Sequence, residues 1–152
     1  MQEAAQPILY VDASGHVLGR LASIVAKKLL EGHRVYVFNV EKAVLSGEKR
    51  RVIESYKLLF RVKTHLNPDK YGIRRPRSPV NIFKRAVRGM LPMDKPHGKE
   101  AFKRLKAYIG VPPEYSKVDL TRFPEAMCTR LRGEYITIEE LAFAMGWRGA
   151  RK

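Results

Sequence analysis

Apolar residues recur along this chain with two periods. Residues 8–13 form a short run of strand formers, closed by the turn pair Ser14-Gly15. From Val17 the spacing changes, and Leu18, Leu21, Ala22, Val25, Ala26 and Leu29 fall on one helical face. Lys27 and Lys28 suit the C-terminal dipole of that helix, and Gly32 is placed to stop it. Residues 35–40 are nearly all apolar, as expected for a strand covered on both faces. Strand, helix, strand in this order predict a parallel pair joined by a right-handed crossover.

After Ser46-Gly47-Glu48 a second helical pattern begins, with Val52, Ile53, Tyr56, Leu59 and Phe60 on its expected buried side. Lys49, Arg50 and Arg51 crowd its first turn, where cations oppose the dipole. Residues 64–79 are a long polar connection ending in Arg74, Arg75 and Arg77 among prolines, which stiffen the backbone that carries them. Ser78-Pro79 then reads as a hydroxyl cap followed by proline at the first helical position. Ile82, Phe83, Ala86, Val87, Met90 and Leu91 make an apolar stripe that Pro92 closes, with Lys84, Arg85 and Arg88 on the other side. A short helix is expected over 98–106, with Ala101, Phe102 and Leu105 inward, and a short strand over 107–110. Val111-Pro112-Pro113 opens an irregular arm that reaches Phe123-Pro124, and a further strand is expected over 127–132. Thr137 to Glu140 has capping-box spacing, with Ile136 and Leu141 as a hydrophobic staple. That helix ends at Gly146, and Trp147 leads into a basic tail over 148–152.

Charge changes this picture from a plain α/β chain to one with a purpose. The 152 residues suit a single domain with a real core, yet carry a formal net charge of +15. Between 61 and 106 there are 14 Lys/Arg against 3 Asp/Glu, whereas the remainder holds 16 against 12. The excess is therefore concentrated in the middle third, and a polyanionic partner is its natural counterpart. The lone Cys128 rules out an intrachain disulfide. No apolar run is long enough to span a membrane, and the N-terminus lacks the basic-then-apolar layout of a secretion signal, so a soluble intracellular protein is expected.

Candidate reactive centres do not accumulate. Gly15-His16-Val17-Leu18-Gly19-Arg20 follows a strand and opens a helix, but it matches neither the phosphate loop of nucleotide hydrolases nor the dinucleotide fingerprint. His16, His33, His65 and His97 are scattered over predicted loops, without metal-ligand spacing to each other or to Cys128. Asp12 at a strand end is read as bonding the following turn, and Cys128 as a small buried residue. No cofactor, metal, catalytic residue or small-molecule substrate is expected. An RNA-processing enzyme or nucleotide-dependent transferase would need convergent acids or a phosphate loop. The cations remain: Arg74, Arg75, Arg77, Lys84, Arg85 and Arg88 first, then Arg20, Lys49, Arg50, Arg51, Lys63, Lys95 and Lys99. Arginine forks and lysine point charges suit phosphate oxygens, and the chain shows none of the aromatic or Gly-loop signatures of single-strand readers. Backbone recognition of folded RNA is the expectation.

Ala86-Val87-Arg88-Gly89-Met90-Leu91-Pro92, Gly98 and Leu105-Lys106-Ala107-Tyr108-Ile109-Gly110 resemble the central motif of the large-subunit ribosomal protein thirteen family. Asp12, the run Gly15 to Ala22, Ala26-Lys27 and Ser46-Gly47 agree with it in the N-terminal half. The lead-in at Arg75-Pro76 and the ending Met145-Gly146-Trp147 resemble the archaeal and eukaryotic branch, with the archaeal type favoured by the short C-terminus. The resemblance implies an α/β protein: a three-layer α/β/α domain around a small, mostly parallel sheet, with basic helices and an irregular C-terminal arm. One domain would span 1–152, with its core over 1–63 and 80–110, a basic loop over 64–79, and the arm and last helix over 111–152. It further implies a non-catalytic constituent of the large ribosomal subunit in the cytoplasm. Such a protein binds large-subunit ribosomal RNA early in assembly and neighbours other ribosomal proteins, including protein three. A regulatory RNA binder outside the ribosome would present the same surface.

Overall fold

The computed structural model describes residues 7–149. Strand β1 (Ile8–Asp12), helix α1 (Leu18–Leu30) and strand β2 (Arg34–Phe38) form the opening unit, and β1 pairs parallel to β2 with Tyr10 opposite Tyr36. Strand β4 (Leu105–Ala107) joins the other side of β2, also parallel, which gives the order β1-β2-β4. Between them run β3 (Val44–Ser46), α2 (Lys49–Arg61), the single turn α3 (Pro68–Tyr71), α4 (Pro79–Arg88) and α5 (Pro96–Lys103). Strand β5 (Tyr135–Thr137) pairs antiparallel with β3, and α6 (Ile138–Ala144) follows it. Among the described residues no helix is long and apolar enough to cross a membrane.

Two successive right-handed crossovers in the same direction place their helices on one face of the sheet. That face carries Val11, Val35, Val37, Leu105 and Ala107, all buried, and α1 packs against α4 and α5 above it. The six α1 positions expected to face inward are the six that are buried. Fully buried Leu, Val or Phe side chains each contribute about 1.5–3 kcal/mol by leaving water, so this face dominates stability. The opposite face is aromatic: Tyr10, Tyr36, Phe38 and Tyr108 lie along it, and Tyr115, from a 3-10 turn at Pro113–Tyr115, packs over them. The layer on this second face is thus thin, yet Phe38 is fully buried beneath it.

The arm is stitched back to the core. Thr121 continues the sheet beside β1, donating from its N–H to the Tyr10 carbonyl while its own carbonyl accepts from Asp12. Several expectations shift by a few residues. The α4 helix stops at Arg88 with Gly89 as its cap, before Pro92, and Met90 is exposed. The α5 helix ends at Lys103, because Leu105 belongs to β4, so the strand precedes its expected position at 107–110. Residues 127–132 are no strand: Cys128–Arg130 is a 3-10 turn. The α2 helix forms as expected, but none of its residues is fully buried, and Leu59 is exposed. It touches α6 and β5, with Val52, Ile53, Tyr56 and Phe60 half-buried against the core, and leaves Leu58 and Leu59 exposed. The basic tail's last residues, 150–152, lie outside the described residues.

Candidate nucleic-acid interface

The candidate interface begins where the chain turns out of α2. Asn67 adopts a left-handed conformation (φ 40°) and its side chain accepts from the Lys70 N–H, which starts the single turn of α3. Gly72 then backs onto the Pro68 carbonyl so closely that a Cβ would collide with it. This tight return sends Arg74 to Arg77 along an extended path to Ser78. The Ser78 hydroxyl accepts from the Asn81 N–H at 3.4 Å and starts α4, with Pro79 at its first position.

Pro79, Ile82, Phe83 and Val87 anchor α4 in the core. The helical phase that buries them turns Arg85 and Arg88 outward, with Lys84 half-buried at the margin. Arg85 and Arg88 also lie in the last turn, where the helix dipole favours cations by about 0.3–1 kcal/mol each. Arg74, Arg75, Lys84, Arg85 and Arg88 meet in one groove of about 640 Å³, completed by Pro76, Asn81, Met93 and Phe102. Among the described residues no carboxylate lines it. On the other side of the arginine lead-in, Arg74, Arg75 and Arg77 share a groove of about 520 Å³ with Lys63, Phe60, Val62 and Asp69. The Arg77 guanidinium lies over the Phe60 ring, 5.1 Å from its centroid, which fixes it between α2 and α4. The structure therefore brings five of the six leading cations into one concave surface and sets the sixth beside it.

The second group divides. Lys63 lines the second groove, and Arg20, Lys95 and Lys99 are exposed. Lys49, Arg50 and Arg51 each have a carboxylate partner: Glu140 at 3.4 Å, Glu54 at 3.0 Å and Glu48 at 3.8 Å. Their crowding at the start of α2 is thus offset inside the chain. Phe102 packs against the core as expected, and its remaining surface lines the arginine groove. Its i, i+3 spacing from Lys99 was the available signal that its face is shared with cations.

The buried polar residues have structural assignments. Among the described residues Asp12, His16 and Glu41 are the buried polar or charged ones. Asp12 accepts from the Ser14 N–H, from Asn39 Nδ2 and from Arg122 Nε and Nη2, the last at 2.6 Å. Burial alone would push its pKa up, but the hydrogen bonds from Asn39, Ser14 and Arg122 outweigh it and hold the carboxyl at about 2. His16 lies in the β1–α1 loop, as expected, but is fully buried there. Its Nδ1 donates to the Ser14 carbonyl at 3.0 Å and its Nε2 accepts from the Phe123 N–H at 3.0 Å. His97 sits in α5. Glu41 accepts from the Gly110 N–H with both oxygens. Each buried group ties together segments distant in sequence.

A cationic groove on an α/β core whose buried polar groups hold the chain together is a surface of the kind that polyanion-binding proteins present. Comparison with known families specifies which: residues 6–114 match the model of Ribosomal protein L13, and the chain belongs to that family. It is 48% identical to the large ribosomal subunit protein uL13 of Saccharolobus solfataricus, over 97% of this chain and 98% of that protein. The uL13 of Sulfolobus acidocaldarius is 51% identical over 93% of this chain and 95% of its own length. The uL13 of Caenorhabditis elegans is 42% identical over 92% of this chain but only 70% of its own length.

Proposed function

We propose that this chain is a structural protein of the large ribosomal subunit, in the cytoplasm, that neutralises phosphates where folded ribosomal RNA helices pack together. The observation that carries this reading is the convergence of Arg74, Arg75, Lys84, Arg85 and Arg88 on one groove without an opposing carboxylate. The sheet and α1 act as a rigid base, α4 and the stiff lead-in set the cations, and affinity comes mainly from release of counterions. Arg77 and Lys63 extend the contact to the second groove, with Arg20, Lys95 and Lys99 at the periphery. Lys49, Arg50 and Arg51 contribute less, because leaving their carboxylates offsets part of each phosphate contact.

A neighbouring ribosomal protein, with protein three the foremost candidate, fits the uncovered apolar side of α2, where Leu58, Leu59 and Val62 are exposed. The residues group into one domain over 1–152, with the core over 1–63 and 80–110, the basic loop over 64–79 and the stitched arm over 111–152. The test is cosedimentation with large subunits after a moderate salt wash, together with a hydroxyl-radical footprint on the ribosomal RNA. Retention in the subunit with protection of backbone sugars is expected. Recovery only as free protein overturns the reading.

A further inference from the structure

The α5 helix has a second groove on its far side. Arg34, Tyr36, Glu100, Lys103, Arg104 and Lys106 line it, and it encloses about 400 Å³, the size of a site for one small ligand. Phe102 faces the arginine groove while Glu100 and Lys103 face this one, so α5 is the wall between them. The chemistry of the two differs. Here Tyr36 contributes an aromatic surface, backed by Tyr10 and Tyr115 at centroid distances of 5.4 and 5.6 Å. Tyr36 pairs with Lys106 across β2 and β4, and the Lys106 ammonium sits 5.5 Å from its ring centroid. Lys103 and Lys106 are exposed, and Glu100 is the groove's one carboxylate.

A duplex keeps its bases stacked on each other and offers its phosphates, so it has no use for an aromatic ring set among lysines. A nucleotide out of its stack needs both: a π surface for its base and cations for its phosphate. We propose that this groove takes one unstacked nucleotide of single-stranded RNA, its base on Tyr36 and its phosphate on Lys103 and Lys106. Glu100 supplies an acceptor for a base N–H. The Lys106 ammonium gives up an exposed ring contact worth about two- to five-fold in an equilibrium. A stacked base returns about five- to 150-fold, and the released ammonium moves to the phosphate. The proposal deepens the RNA-binding reading and rests on it for the class of ligand alone.

The test measures anisotropy of two labelled probes, hexa-adenylate and a short RNA duplex, at one salt concentration. Tyr36→Leu is expected to lose about tenfold on hexa-adenylate and to stay within about twofold on the duplex. Arg85→Gln with Arg88→Gln should do the reverse. Tyr36→Phe keeps the ring and should keep binding. Lys106→Gln lies outside the core, so it tests the groove without risk to the fold and should lose about threefold on hexa-adenylate alone. Hexa-adenylate binding that either Tyr36→Leu or Lys106→Gln leaves unchanged overturns the proposal. So does equal loss of both probes in Tyr36→Leu and Tyr36→Phe, or displacement of hexa-adenylate by inorganic polyphosphate as readily as by itself. Wild-type binding of hexa-adenylate without the duplex would support this groove and remove the arginine-groove reading.

Discussion

Asp12→Asn tests whether the buried carboxylate holds the fold or serves chemistry. The substitution keeps the shape but removes the charge, and it turns an amide donor toward donors from Ser14, Asn39 or Arg122. The gap between the ordinary value of 3.8 and about 2 corresponds to about 2 kcal/mol of preference for the ionised, folded form. The Arg122 side chain is 61% exposed against 4% for Asp12, so its share is screened, and the buried bonds from Asn39 and Ser14 carry the larger part. With one donor left facing another, the expected loss at neutral pH is about 2–3 kcal/mol, or about 5–10 °C in Tm for a chain of this size. The pH dependence has a definite sign. Because the folded pKa is depressed, the contribution is complete above the unfolded pKa near 4 and is lost as pH falls through about 2. Melts of both proteins by circular dichroism from pH 7 down to pH 2 should therefore show a gap that narrows below pH 4. Equal melting temperatures at pH 7, or a gap that stays constant to pH 2, would refute the reasoning. At pH 7, below its Tm, the variant should bind RNA as the wild type does.

Arg85→Gln combined with Arg88→Gln should flatten the plot of log K against log salt by about one unit per lost phosphate contact, read from filter-binding titrations. Arg50→Gln with Arg51→Gln should flatten it less, because Glu54 and Glu48 already partner those side chains. Gly98→Ala places a Cβ against the Pro92 carbonyl oxygen inside contact distance, and since that neighbour is backbone the cost should be about 3 kcal/mol in urea denaturation. A Gly98→Ala protein as stable as the wild type would show that the loop before α5 yields without cost.

Local signals carried far into the structure where packing agreed with them. The α1 face was legible because strand, turn and helix each had one consistent period, and Ser78-Pro79 and Thr137 cap their helices as their chemistry dictates. The Thr137 hydroxyl accepts from the Glu140 N–H, and Ile136 and Leu141 are both buried. The apolar stripe of α2 was equally periodic, yet periodicity states which residues share a face and not what covers it. The β3–β5 pair joins segments about ninety residues apart, each three residues long, too short for a period to register. Residues 127–132 have strand-forming composition, but pairing stops at the single Met127–His16 bridge, where the Cys128 N–H is taken by the Gly15 carbonyl, and the backbone then turns. The leading cations were legible from charge density and proline stiffness. Their convergence on one groove depended on the Gly72 return, which no local pattern announces.

The arm that runs beside β1 has a consequence for the protein before it meets RNA. A parallel sheet of three strands has two open margins, each able to recruit a strand from another molecule. Thr121 takes up part of the margin along β1 with two hydrogen bonds. The other margin, β4, is three residues long and carries Lys106 at its centre, so two copies brought together there would meet charge against charge. The same lysine that would hold a phosphate in the assembled particle thus helps keep freshly made chains apart.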